Sequence, residues 1–311
     1  MNYITLILSI LFICIGSACT EKDKSGKTLD TPTAGFLRIA VDESLRPLLD
    51  AEVKAFEGIY TNAHVQVTYC SEQDAMDALL KDSVRLIVIT RKLGKDEAGI
   101  ISGQKIVPHE VVIAKEGVAL IMNKNNPDSL LHLNTLKDML HGKISDSKFP
   151  GATINPVDLE LVFDNPTSGI VRFLQDSVAV FNKLPAFCFA VNSNPEVVNY
   201  VSRKANAIGL IGVSWISDKD DSTANRFLST VRVASISKGR GFYQPYQAYI
   251  AQGDYPLIRE VVMISREARA GLASGFMAFT AGEKGQRVVL KAGLVPSTMP
   301  LRIVEINQEP F

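Results

Sequence analysis

The chain has 311 residues, and its 33 Lys and Arg side chains balance 33 Asp and Glu, leaving a formal net charge of zero. Apolar residues make up 46% and charged residues 21%, globular proportions that exclude wholesale disorder or a fibrous repeat. Balanced charge argues against a broad nucleic-acid footprint, which needs clustered Lys and Arg, but leaves room for one local anion pocket.

Ile4 to Ile15 form an almost unbroken apolar run that ends in Gly16-Ser17-Ala18-Cys19 and a polar stretch. A membrane-spanning helix needs about 20 apolar residues, so the run is too short to cross a bilayer and fits the core of a signal peptide. A Cys directly after Ser-Ala looks like a bacterial lipobox, although no Lys or Arg precedes the run and Gly16 stands where Leu is usual. An ordinary secretory signal with an incidental Cys is the alternative. The expectation is a signal peptide over residues 1–18, acylation at Cys19, and a lipid-anchored linker over 19–33 that is polar and carries Pro32. Cys70 and Cys188 sit in apolar surroundings and read as buried free thiols, with a disulfide between them as the other possibility in an exported protein.

From Gly35 the apolar pattern alternates short strand-like runs with helical periodicity. Phe36 to Val41 reads as a strand. Leu45, Leu48, Leu49, Val53 and Phe56 then fall on one helical face, with Ser44 as the expected N-cap. His64 to Tyr69 reads as a second strand, Glu72 to Lys81 as a second helix and Arg85 to Ile89 as a third strand. This alternation predicts a parallel α/β sheet, whose ligands sit beyond the C-terminal ends of its strands. The loops of interest are therefore Asp42-Glu43-Ser44, Cys70-Ser71 and Thr90-Arg91. Further on, the pattern predicts strands at Gly117 to Asn123, Leu159 to Phe163 and Ala207 to Val213, and one ending at Ile264. Helices are expected at Leu133 to Leu140, after Gly169, at Glu196 to Arg203, at Arg269 to Thr280 and at Glu283 to Ala292, with a last strand near Ile303 to Ile306.

Several motif fragments carry no chemistry. Ser25-Gly26-Lys27-Thr28 copies the tail of a phosphate-binding P-loop, but the earlier Gly is Glu21 and no strand precedes it. Gly212-Val213-Ser214-Trp215-Ile216 lacks the second Gly of a nucleophile elbow. His64, His109, His132 and His141 are dispersed without ligand spacing, so no metal site is expected. No nucleophile–base pair is legible.

One segment stands out, Thr167-Ser168-Gly169-Ile170-Val171-Arg172, at an expected strand-to-helix junction. Small hydroxyl residues and a Gly there expose backbone N–H groups beside a favourable dipole, which suits an anion. The same residues suit plain N-capping. Ser44 and Ser71 open predicted helices in the same way.

The chain resembles the phosphate-binding (Pst-type) substrate-binding proteins of ABC importers, which have the type II periplasmic binding protein fold. The resemblance runs through Val41-Asp42-Glu43-Ser44, Ile89-Thr90-Arg91, Asn125-Asn126-Pro127, Asp164 to Arg172, Ala207 to Val213, Asp254-Tyr255-Pro256-Leu257-Ile258-Arg259 and Gly282 to Arg287. It implies two α/β lobes, residues 34–120 with 250–311 and residues 121–249, each a mostly parallel sheet flanked by helices, with phosphate in the cleft between them. Carried over residue by residue, it assigns phosphate contacts to Ser44, the Leu45 amide, Ser71, Thr90, Ser168 and Gly169, with Arg91 and Arg172 as candidate cations. Three positions depart from the family pattern. Ile170 replaces a Thr whose hydroxyl Thr167 is expected to supply, and Asp164 replaces an Arg. Thr90 replaces an acidic acceptor of the phosphate proton, a role then open to Asp42 or Glu43. The resemblance further implies a monomeric, non-enzymatic, lipid-anchored protein outside the cytoplasm, with ABC permease subunits as partners and without cofactor, metal or nucleic acid. Alternatives are a non-transport sensor or interaction lipoprotein of the same fold, or a binder of another oxyanion. A hydrolase on the same scaffold is a more distant one.

Overall fold

The computed structural model describes residues 30–126, 129–143, 159–181 and 183–300. The signal segment, Cys19, the Ser25–Thr28 fragment and the strand expected near Ile303 lie outside the described residues. At the start of the described chain the Asp30 carboxylate accepts the Leu272 N–H at 2.9 Å and pairs with Arg85, so the last residues of the expected linker are held against the fold.

Strand β1 (Gly35–Asp42) buries Leu37 and Ile39 and exposes Phe36 and Arg38, the alternation of a pleated strand with one covered face. Helix α1 (Arg46–Ile59) opens with Pro47 in its first turn and turns Leu48, Leu49, Val53 and Phe56 inward. Ser44 is not its N-cap. Residues Glu43–Leu45 form a 3-10 turn capped by Asp42, whose side chain accepts the Ser44 N–H, and these three residues swing the chain from β1 into the helix. Then follow β2 (Ala63–Cys70), α2 (Glu72–Leu80), β3 (Leu86–Ile89) and α3 (Lys95–Gly103).

The architecture turns on β4 (His109–Asn123), a strand of 15 residues. Its first half pairs antiparallel with β11 (Ile258–Ser265), and its second half pairs antiparallel with β8 (Ala207–Gly212) and β9 (Val231–Val233). The sheet runs β2-β1-β3-β11-β4-β8-β6-β7, with β6 at Glu160–Phe163 and β7 at Cys188–Ala190. The β1, β2 and β3 strands are mutually parallel, as are β6, β7 and β8, while β4 and β11 run across between the two groups. The result is two α/β lobes on one curled sheet. Gly117 lies at the change of partners, where a side chain would come within 3.1 Å of Ile250 and Val213. Strand β4 begins earlier than the sequence pattern indicates, because Glu110, Lys115 and Glu116 interrupt the apolar run.

In the second lobe α4 (Leu133–Leu140) follows the short strand β5 (Leu130–His132), and α5 (Gly169–Phe173) continues into a π-helical turn at Leu174–Val178. Helix α6 (Asn194–Arg203) packs its Val197 and Val201 onto β8. That packing needs Gly209, since a Cβ there would meet Val197 Cγ1 at 2.6 Å and Val201 Cγ2 at 2.8 Å. Gly209→Ala is expected to lower the unfolding free energy by about 1–3 kcal/mol through overpacking, read from the urea midpoint at unchanged slope.

Both cysteines are free and half-buried rather than fully buried, with burial raising Cys70 to about 11 and Cys188 to about 12. They lie on β2 and β7, opposite ends of the strand order, so a bond between them within one chain is excluded.

Candidate functional site

Turns after β1, β3, β6 and β8 and the first residues of α2, α5 and α6 meet between the two lobes, mostly at the C-terminal ends of parallel strands. The Asp42 carboxylate sits at the meeting point and is fully buried. Its Oδ1 accepts the Ser44 N–H at 2.9 Å and the Ser44 hydroxyl, and its Oδ2 accepts the Gly169 N–H of the other lobe at 2.9 Å. Glu72, also buried, accepts the Thr90 N–H at 2.9 Å and the Thr90 hydroxyl at 2.6 Å through Oε2, and pairs with Arg172 of the other lobe through Oε1. Arg172 donates further to the Thr90 carbonyl at 3.0 Å and to Asp176 at 3.1 Å.

Beneath this point lies a buried ion pair. Arg259 and Glu116 are direct cross-strand partners on β11 and β4. The guanidinium donates to Glu116 Oε2 at 3.0 and 2.7 Å and to the Ser44 hydroxyl at 2.7 Å, while its Nη1 is buried with no hydrogen-bond partner among the described residues. Three further bonds join the lobes. Glu43 accepts the Asn194 N–H at 3.0 Å and its side-chain amide at 2.6 Å, and the Ser214 hydroxyl donates to the Ser44 carbonyl at 2.9 Å.

The cleft is rich in carboxylates, and its electrostatics follow from that. Burial, opposed by Arg259, raises Asp42. Asp164 is pushed up to about 7 by burial and then by the Asp42 charge, and burial also raises Glu43. Burial acts to raise Glu72 as well, but Arg172 and the Thr90 bonds outweigh it and hold Glu72 below the ordinary range. Burial opposes the charge on Arg259, and Glu116 and Asp42 restore it.

Of the residues singled out from the sequence, the structure brings together Asp42, Ser44, Thr90, Gly169 and Arg172, with Glu43 at the edge, while Ser168 is buried next to Gly169 and its hydroxyl caps α5, accepting the Val171 N–H at 3.4 Å. Ser71 instead caps α2, accepting the Asp74 N–H at 3.1 Å and donating to Asp74 Oδ2 at 2.7 Å. Thr167 is exposed and its hydroxyl donates to Asn165 at 2.8 Å, so it does not turn inward to replace the hydroxyl lost at Ile170. Arg91 is held by a bidentate pair with Glu97 at 2.7 Å and lies 3.5 Å from Glu72. Leu45 is fully buried in the 3-10 turn. Sequence reasoning missed Glu72, Glu116, Asn194, Ser214 and Arg259. The available signal was a Glu and an Arg inside otherwise apolar strands, at Glu116 and Arg259.

Two open grooves of about 600 and 650 Å³ lie elsewhere, one against Leu228 and Tyr246 and one between Arg46 and Trp215. Neither is lined by Asp42, Glu72, Thr90, Gly169 or Arg259. Among the described residues no cluster of His, Cys, Asp and Glu could hold a metal ion, and no helix is long and apolar enough to cross a membrane.

Two lobes on a curled sheet, with polar groups from both converging in the crevice, are the fold of the type II periplasmic binding class. Residues 26–284 match the family model PBP-like 2, described as PBP superfamily domain, and the chain belongs to that family. It is 25% identical over 295 residues to the phosphate-binding protein PstS of Pseudomonas aeruginosa, covering 88% of this chain and 85% of that one. Its fold is similar to that of a phosphate ABC transporter substrate-binding protein from Clostridium perfringens with bound phosphate, at a TM-score of 0.69 and 21% identity over 85% of this chain and 100% of that one. An ABC-type phosphate transport receptor from Vibrio cholerae matches at a TM-score of 0.61 and 17% identity, over 85% of this chain and 100% of that one.

Proposed function

We propose that the protein is an extracytoplasmic solute-binding protein that captures inorganic phosphate in the cleft between its lobes and delivers it to an ABC permease. The observation that carries this reading is the convergence on one buried point of donors from both lobes. The Ser44 and Thr90 hydroxyls and the Arg259 guanidinium, whose Nη1 has no partner among the described residues, come from one lobe, and the Gly169 N–H comes from the other. Fixed donors of this kind replace the hydration shell of an oxyanion, and closure excludes water around them. The similarity to PstS along most of both chains supports phosphate as the ligand.

In this reading Arg259 is the anion-binding cation, and Arg172 and Arg91 hold the lobes and the rim. The lobe boundaries fall where β4 leaves β11 for β8, at Gly117–Val118, and where the chain returns near Tyr255–Leu257. Acylation at Cys19 tethers the protein outside the cytoplasm, where a membrane permease docks the phosphate-loaded form. No catalytic role is assigned. Calorimetric titration of phosphate into residues 20–311, after unfolding and refolding to strip carried ligand, is expected to show one-to-one binding. Ser44→Ala and Thr90→Ala are each expected to weaken it roughly tenfold, the range for loss of a hydrogen bond to a charged group. Unchanged affinity in both variants would move the ligand out of this cleft.

One observation favours a second reading, in which the same fold serves a non-transport sensor or interaction lipoprotein: the Gly169 N–H already carries the Asp42 carboxylate. An absence of heat with phosphate, sulfate, arsenate and molybdate alike supports that reading over the first.

A further inference from the structure

The inner surface of the cleft contains two carboxylates of the chain itself where an incoming oxyanion would find its donors. Three side-chain oxygens crowd Gly169: a Cβ there would lie 2.6 Å from Thr90 Oγ1, 2.7 Å from Glu72 Oε2 and 2.8 Å from Asp42 Oδ2. Asp42 holds the Gly169 N–H and the Ser44 hydroxyl, and Glu72 holds both donors of Thr90 and the guanidinium of Arg172. Asp42 and Gly169 are 127 residues apart and belong to different lobes, so their bond is also a clasp across the cleft. Arg259, 4% exposed, is the buried cation beside Asp42, and its Nη1 remains without a partner among the described residues.

We propose that Asp42 is a built-in competitor for the ligand: it closes the lobes on the Gly169 amide in the ligand-free protein, and an oxyanion binds by displacing it and taking up the free Nη1 of Arg259. The ligand half of this inference rests on the phosphate reading above, and the closure half does not. The physical basis is charge. An oxyanion and the Asp42 carboxylate cannot both occupy the Gly169 N–H, and in a dry cleft two like charges at contact distance repel far more strongly than in water. Glu72, Asp164 and Glu43 lie in the same charge cluster and add to the repulsion; Arg172 compensates Glu72, and Arg259 is the cation acting on Asp42. Displacement therefore sets a threshold that selects ligands able to satisfy Gly169, Ser44 and Arg259 together. It also means that closure alone does not signal ligand, so the liganded state differs from the empty one inside the cleft more than in overall shape.

The test uses residues 20–311 as wild type and as Asp42→Ala, Asp42→Asn and Gly169→Ala, with far-UV circular dichroism checking the fold. Gly169→Ala wedges the clasp without altering a charge, so it carries the closure test should Asp42→Ala fold poorly. Small-angle scattering without ligand is expected to give a compact wild type and a larger radius of gyration for Asp42→Ala and Gly169→Ala. Phosphate titration is expected to show Asp42→Asn binding roughly tenfold tighter than wild type, a coupling of ordinary size. Identical ligand-free radii for wild type, Asp42→Ala and Gly169→Ala overturn the clasp. Weaker phosphate binding by Asp42→Asn overturns the competition. If the variants open but neither wild type nor Asp42→Asn binds phosphate, the clasp stands and the phosphate reading falls.

Discussion

Arg259→Met is expected to lower the free energy of unfolding by about 3–5 kcal/mol and to abolish anion binding, the largest effect of any single substitution in the cleft. The side chains of Arg259 and Glu116 are 1% and 0% exposed, and the guanidinium meets Glu116 Oε2 through two bonds. Removing the cation strands a carboxylate left with Ser214, whose N–H it accepts at 3.2 Å, in a place water does not reach. The penalty is therefore that of an uncompensated buried charge, and it should shrink at acid pH as Glu116 takes a proton. The double variant Arg259→Met with Glu116→Leu is expected to recover to within about 1–2 kcal/mol of wild type, since well-packed apolar residues replace buried ion pairs with little loss. Urea unfolding of the three proteins measures this cycle, while phosphate titration of the double variant separates the two roles. Recovered stability without recovered binding is the outcome expected if Arg259 contacts the ligand.

Glu52→Leu acts in the opposite direction and is expected to stabilise the protein by about 2–4 kcal/mol at pH 7.5. Glu52 lies on the inner face of α1, fully buried, and neither carboxylate oxygen has a hydrogen-bond partner among the described residues. Burial pushes its pKa from 4.5 up to about 9, so the folded protein holds the carboxyl neutral at physiological pH. The unfolded chain ionises near 4.5, and the sign follows from that difference. The contribution of Glu52 is fully present below the unfolded value. It falls by about 1.4 kcal/mol per pH unit as pH rises, and is lost once pH passes the folded value. The difference in unfolding free energy between Glu52→Leu and wild type should therefore widen from pH 5 to pH 8. A difference that stays constant over that range would mean that Glu52 is paired or hydrated in the folded protein.

The outline of the fold was legible because β1, α1, β2, α2 and β3 each carry a clean period, and a strand–helix alternation of that kind has few topologies. The segments that escaped are those whose apolar pattern is interrupted for a reason. The first half of β4 carries Glu116 because Arg259 stands opposite it on β11, a pairing between residues 143 apart that no local pattern can reveal. The site was legible in part for the same reason. Ser44, Ser168 and Gly169 were visible as small residues at turns, and the structure keeps them there. Asp42 and Arg172 were visible as a candidate proton acceptor and a candidate cation, but their pairing with Gly169 and Glu72 was not, because it forms only when the second lobe folds onto the first, and Glu72 was missed altogether. Ser71 and Thr167 show the converse: hydroxyls in the right loops, each satisfied locally, by Asp74 and by Asn165.

On the proposed function, an oxyanion sits between Gly169 and Arg259. The most direct measurement is a crystal structure of residues 20–311 grown with arsenate, a phosphate analogue whose arsenic is located by anomalous scattering. The expected result is a single arsenic peak between the lobes, with arsenate oxygens within hydrogen-bonding distance of the Gly169 N–H and Arg259 Nη1 and the Asp42 carboxylate moved off Gly169. An arsenic peak elsewhere, or an arsenic-free cleft with Asp42 still on Gly169 at saturating arsenate, would contradict it.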